Sequence, residues 1–123
     1  MDVTTLMEIN AVIRTARWKA TLEALRQAGF TAVTRQRAYG RGRQRGLRYA
    51  PAEDGSPAGA GIPVLPKWLL TLVLEDHDVD AAVAAIIGAN RSGNIGDGKI
   101  FISRIGQVLR LSSLETNAQA LTR

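Results

Sequence analysis

Cysteine is absent from the chain, which rules out disulfides, thiolate metal sites and thiol catalysis. Histidine occurs once, at His77 between Asp76 and Asp78, a setting that suits an exposed turn residue and leaves little scope for imidazole chemistry. No apolar run approaches the ~20 residues that cross a bilayer. The longest, Trp68 to Leu74, suits a buried strand. Met1 to Glu8 has no basic stretch followed by an apolar core, so no signal peptide is expected and cytoplasmic residence is the default. There is no P-loop motif and no obvious nucleophile beside a base, so no enzyme is expected.

What is present is a single domain's worth of chain, 123 residues, with a net charge of +5. A chain of this size can build a core but leaves much surface exposed, and it often gains by oligomerising. The positive charge is concentrated in the middle, where Arg35, Arg37, Arg41, Arg43, Arg45 and Arg48 favour polyanionic ligands.

Glu8 to Arg14 alternates, with Ile9, Ala11 and Ile13 on one face, as a half-buried strand does. A helix is expected over Arg17 to Ala28, with Trp18, Leu22 and Leu25 as its apolar stripe and Gly29 as a left-handed cap. Phe30 to Tyr39 reads as a second strand and Lys67 to Glu75 as a third. Asp78 is placed to cap a helix over Val79 to Ala89, whose buried stripe is Val79, Val83, Ile86 and Ile87. Lys99 to Arg104 is the fourth strand. Gln107 to Leu111 suits a short fifth, and the polar stretch beyond Glu115 is expected to fray. The order is α+β: two βαβ halves with helices on one face of an antiparallel sheet, the ferredoxin-like sandwich.

Two stretches fall outside this pattern. From Gly40 to Leu65 no period survives, and Pro51, Pro57 and Pro63, with Pro66 just beyond, deny the segment a stable helix or ladder. A long loop inside a compact domain is most often functional. The second stretch is Gly93-Asn94-Ile95-Gly96-Asp97-Gly98-Lys99. Its glycines permit positive φ and a close backbone approach, its amides can cradle phosphate, Lys99 adds a point charge, and Asp97 can hold a neighbouring loop or lysine.

Together with Gly40-Arg41-Gly42-Arg43-Gln44-Arg45-Gly46 and Leu65-Pro66-Lys67, this stretch resembles the PII family of signal-transduction proteins. The family signature of threonine-glycine, two variable residues and Gly-Asp-Gly-Lys-Ile-Phe stands here unchanged through Phe101, except that Ser92 replaces the threonine. The resemblance spans roughly Glu8 to Glu115. It implies one PII-like domain over 1–123, with an N-terminal extension at 1–7, a T-loop at 41–65 and a tail at 116–123, assembled as a homotrimer. It implies ATP or ADP, and by extension AMP, bound between subunits by Thr34, Gly40, Gly42, Arg43, Gln44, Val73, Gly96, Asp97, Gly98, Lys99 and Arg110. The base would lie near Val73 and Thr34. Gln44 and Lys67 would bind 2-oxoglutarate, with Gln44 also meeting a magnesium ion held by ATP. The T-loop would then control a target such as nitrogenase, glutamine synthetase or an ammonium transporter, without nucleic acid or membrane insertion.

The departures from the family pattern are informative. A second arginine is expected two residues after Arg110, where Ser112 stands, so one terminal-phosphate contact is missing and the preference for ATP over ADP should be weak. Thr71 stands where many members have glutamate, and Pro51 where some have a modified tyrosine, with Tyr49 nearby. The arginine-rich loop is similar to branches of the family that regulate nitrogenase directly and, less closely, to carboxysome-associated members that respond to bicarbonate. An RNA-binding ferredoxin-like module is the alternative of another class. Against it, the strands offer only Tyr39, Trp68 and Phe101, with Phe30 at an edge, for base stacking.

Overall fold

The structure, a computed structural model, describes residues 4–40 and 65–121. The expectations for Gly42, Arg43, Gln44, Tyr49 and Pro51 fall outside those residues. The described elements are β1 (Leu6–Arg14), α1 (Trp18–Gln27), β2 (Thr34–Gly40), β3 (Leu65–Glu75), α2 (Val79–Asn90), β4 (Gly98–Ile105) and a short α3 (Ala118–Leu121). A single 3₁₀ turn leads into each of α1 and α2. The four strands form one antiparallel sheet in the order β2-β3-β1-β4, so the ferredoxin-like α+β arrangement stands.

Alternation along β1 and β3 decides which face is covered. Ile9, Ala11 and Ile13 of β1 and Leu70, Leu72 and Leu74 of β3 meet Leu25 of α1 and Ala82 and Ile86 of α2 in one buried cluster. Each fully buried leucine or isoleucine side chain there is worth roughly 1.5–3 kcal/mol. Register partners share a face, so Arg14, Lys67, Val12, Lys99, Thr71 and Thr34 belong to the opposite one.

Several boundaries differ from the periodicity reading. The strand expected from Phe30 begins only at Thr34, because the end of α1 takes the preceding backbone. Gly29 is left-handed, its amide donates to Arg26 O at 3.0 Å, and the Phe30 amide donates to Leu25 O at 2.8 Å. That double bond is a Schellman cap with Phe30 folded onto the core. Leu22 is 37% exposed, and Thr21 is fully buried in the α1 stripe. Its hydroxyl donates to Arg17 O and accepts from Asn90 Nδ2 at 2.8 Å, pinning α1 to α2. In α2, Ala82 and Ile86 are buried, whereas Ile87 is 43% exposed because the helix turns that side toward the β4 edge rather than the core. Asp78 makes no side-chain cap; it closes the 3₁₀ turn, where His77 is exposed as expected. The fifth strand shrinks to an isolated bridge between Leu109 and Thr116, and the tail beyond Glu115 forms α3 instead of fraying.

Trp18 packs against the core, and its ring lies 6.4 Å from that of Trp68. Arg35 of β2 stacks on both, 4.4 and 4.0 Å from the two ring centres, and Arg37 lies 4.9 Å from Trp68. Edge strand β2 is thereby fastened to α1 and β3 by cation–π contacts. Arg35→Ala should lower stability by about 1–2 kcal/mol, roughly one exposed cation–π contact per indole. Urea unfolding followed by tryptophan emission reads this directly, because both tryptophans of the chain are in the stack.

Candidate functional site

The turn from α2 into β4 is built around one carboxylate. Asp97 Oδ2 accepts the amides of Ser92 at 2.7 Å and Gly93 at 2.9 Å, and Oδ1 accepts the Ser92 hydroxyl. Ser92, which stands in the place of the family threonine, thus engages the carboxylate with both its hydroxyl and its amide. The glycines take the conformation expected of them, with φ of 86° at Gly93, 99° at Gly96 and 116° at Gly98. Gly98 could be nothing else. A Cβ there would sit 1.9 Å from the carbonyl oxygen of Val12, so the turn presses directly on the β1 backbone.

The sheet holds the turn from below with two cations. Arg14 Nη2 donates to Ile95 O at 2.8 Å, while Nη1 lies 3.3 Å from Asp97 Oδ1. Lys67, the register partner of Arg14, is only 8% exposed and donates from Nζ to Gly96 O at 3.2 Å. Burial first, and then the neighbouring Arg14 charge, lower the Lys67 pKa, with Asp97 pulling the other way. Asp97 is shifted down by its bonds from the Ser92 hydroxyl and amide, then by the Gly93 amide and Arg14.

Of the residues expected at the site, Gly96, Asp97, Gly98, Lys99 and Lys67 come together within this one chain. Lys99 is exposed, on the same face as Lys67, with no ion-pair partner among the described residues. Thr34 and Val73 share that face but lie farther along the ladder, and Thr34 is three strands away from Lys99. Gly40 is the last residue of β2. Arg110 is held by its own tail: Nη2 donates to Ala120 O at 2.9 Å, and Nε lies 3.9 Å from Glu115 Oε1. A cavity of about 550 Å³ opens beside the turn, walled by Ile13, Val83, Ile87, Ile100 and Ile102, with Lys99 at its lining. Arg14 was missed by sequence reasoning, which saw a polar position on an alternating strand. The only signal was a cation at the strand's end, and its target, 81 residues away, becomes visible only with the register.

The family model described as Nitrogen regulatory protein P-II matches residues 6–115. The chain belongs to the P-II family. A Methanosarcina barkeri protein named Nitrogen fixation nifHD1 region GlnB-like protein 2 is 34% identical, covering 94% of this chain and 99% of its own length. A Nitrogen regulatory protein P-II of Rhodobacter capsulatus is 36% identical over 94% of this chain and its whole length. The crystal structure of Arabidopsis thaliana PII bound to citrate superposes with a TM-score of 0.74 over 95% of this chain and 92% of that one; at 23% identity it speaks for the fold. This P-II protein is accordingly a regulator of the nitrogen signal-transduction type and not an enzyme. No helix among the described residues is long and apolar enough to cross a membrane.

Two outcomes follow from the turn. Gly98→Ala must either break the rung to Ile13 or shift Val12, so it should cost about 2 kcal/mol or more in denaturant unfolding. Because Asp97 is shifted down, its stabilising contribution is complete above the ordinary aspartate pKa of ~3.9 and is lost as pH falls through the lowered value. The stability gap between the wild type and Asp97→Asn should therefore close on acidification below about pH 4, read as urea midpoints across pH.

Proposed function

We propose that this P-II protein senses adenine nucleotides, binding ATP or ADP in clefts between the subunits of a homotrimer. On this reading 2-oxoglutarate is the second ligand, at Lys67 and Gln44, and the T-loop reports occupancy to a cytoplasmic target of nitrogen metabolism. Nitrogenase, glutamine synthetase and an ammonium transporter are the target types it would suit.

One observation carries the reading. Lys67, at the end of the long loop, and Gly96, in the glycine turn, are 29 residues apart in sequence yet share a hydrogen bond of 3.2 Å. Arg14, Lys67 and Lys99 bring three cations to this place, and among the described residues the nearby anion is Asp97. The surplus suits phosphate and carboxylate groups, whose charge-assisted bonds are roughly twice as strong as neutral ones. Thr34 and Val73 share the sheet face of Lys99 but sit three and two strands away from it, and on this reading the base meets them in an adjoining subunit. Arg110 would enter such a cleft by exchanging its own tail for phosphate.

Two exposed residues of edge strand β4, Phe101 at 56% and Ile102 at 47% on opposite faces, support burial against another copy. Magnesium does not fit the protein groups by themselves, because those around the turn are mostly cationic. Its oxygens would come from ATP phosphates and the oxo acid, with the Gln44 amide completing the shell. Ligand occupancy would then shift the T-loop among conformations in proportion to differential affinity.

Calorimetry with ATP, ADP and AMP, each with and without magnesium, 2-oxoglutarate and bicarbonate, tests the reading. The expected result is binding of ATP and ADP with little preference between them, and of 2-oxoglutarate only with magnesium and ATP. Light scattering should give three times the 13.2 kDa chain mass. A monomer that binds no adenine nucleotide would refute it.

A further inference from the structure

Three consecutive residues of the glycine turn are each gripped from the sheet. Arg14 Nη2 holds Ile95 O, Lys67 Nζ holds Gly96 O, and Arg14 Nη1 stands 3.3 Å from the Asp97 carboxylate. One planar guanidinium thus reaches a carbonyl and the carboxylate at the turn's centre together. An ammonium is a point charge on a flexible stem and cannot hold that two-pronged geometry.

The same contact governs Lys67. Arg14 and Lys67 are register partners on adjacent strands, and Asp97 is the carboxylate that acts on both. Arg14 makes the ion pair with it, so the hydrogen-bond partner of Lys67 is a neutral carbonyl although the residue is only 8% exposed. An ammonium sheltered from water with no ion pair of its own gains when an anion joins it.

We propose that Arg14 is a positioning residue with two effects: it fixes residues 95–97 so that the amides of Gly96 to Lys99 present one geometry to phosphate, and it withholds Asp97 from Lys67 so that the lysine stays open to a carboxylate ligand. This rests on the adenylate and oxo-acid reading above. Arg14 itself does not touch the nucleotide in this account. Without its guanidinium, Asp97 is free to pair with Lys67, which pulls the turn toward β3 and gives the lysine an internal counter-ion that an incoming dicarboxylate must displace.

The test compares Arg14→Ala, Arg14→Lys and the double variant Arg14→Ala/Asp97→Asn. ADP affinity and the affinity for 2-oxoglutarate in the presence of magnesium and ATP are measured by calorimetry, and amide exchange is measured on the ligand-free trimer. Arg14→Ala should weaken ADP about tenfold and 2-oxoglutarate by more. It should also speed exchange at Ser92 and Gly93, while amides of the β1–β3 ladder such as Leu72 keep their protection. Arg14→Lys should recover less than half of either loss in free energy. Adding Asp97→Asn should restore part of the 2-oxoglutarate affinity without restoring that for ADP, a non-additivity that a merely structural arginine would not produce. Wild-type affinities in Arg14→Ala, full rescue by lysine, or loss of protection throughout the sheet would each overturn the proposal. If the wild type binds no adenine nucleotide, the functional reading falls. The role of Arg14 in the turn is then decided by ligand-free exchange at Ser92 and Gly93, where acceleration supports it and no change overturns it.

Discussion

Gly98 lies against the carbonyl of Val12 with no room for a Cβ, and the site depends on that approach. Any side chain at 98 would collide with β1, so the chain can enter β4 there only as glycine. That entry sets the pairing of Lys99 with Val12 and of Phe101 with Asn10, which puts Lys99 on the face opposite the helices. It also drives the preceding residues, 92–97, into a tight turn above the ends of β1 and β3, where Arg14 and Lys67 reach them.

Charge is divided along the sheet. β3 begins beside the cations Arg14, Lys67 and Lys99 and ends at Glu75, followed by Asp76 and Asp78, with His77 Nε2 3.2 Å from the Glu75 carboxylate. The eleven residues of β3 separate these two ends by about 30 Å, well beyond a Debye length at physiological salt. Among the described residues, an anionic ligand approaching the glycine turn therefore meets mainly cations, with Asp97 already engaged by hydrogen bonds and Arg14.

The central fold was legible because its signals are local. Alternation at Ile9, Ala11 and Ile13, the cap at Gly29 and the positive φ of Gly93, Gly96 and Gly98 all follow from the residue types and their spacing. The errors came where tertiary contacts overrule periodicity. Phe30 was claimed by the cap of α1 rather than by β2, and Thr21 displaced Leu22 from the core because Asn90 of α2 satisfies its hydroxyl. Ile87 faces an apolar cavity at the β4 edge that one chain does not fill. At the site, Gly96 to Lys99 and Lys67 were read from motif and chemistry. Arg14 was not, since a strand-end arginine gains its meaning only when the register places it under a turn 81 residues later. The tail was misjudged as well: polar composition suggested fraying, yet Arg110 and the Asn117 backbone organise it into α3.

On the proposed reading, the phosphate cradle and the effector lysine are joined through one backbone carbonyl, that of Gly96, which accepts from Lys67 at 3.2 Å. Backbone amide resonances followed during titration with ADP test that claim most directly. The account predicts saturable shifts at Gly96, Asp97, Gly98 and Lys99, with a smaller linked shift at Lys67 and none at Glu75 to Asp80. Saturable shifts elsewhere with a silent glycine turn, or none at all, would contradict it.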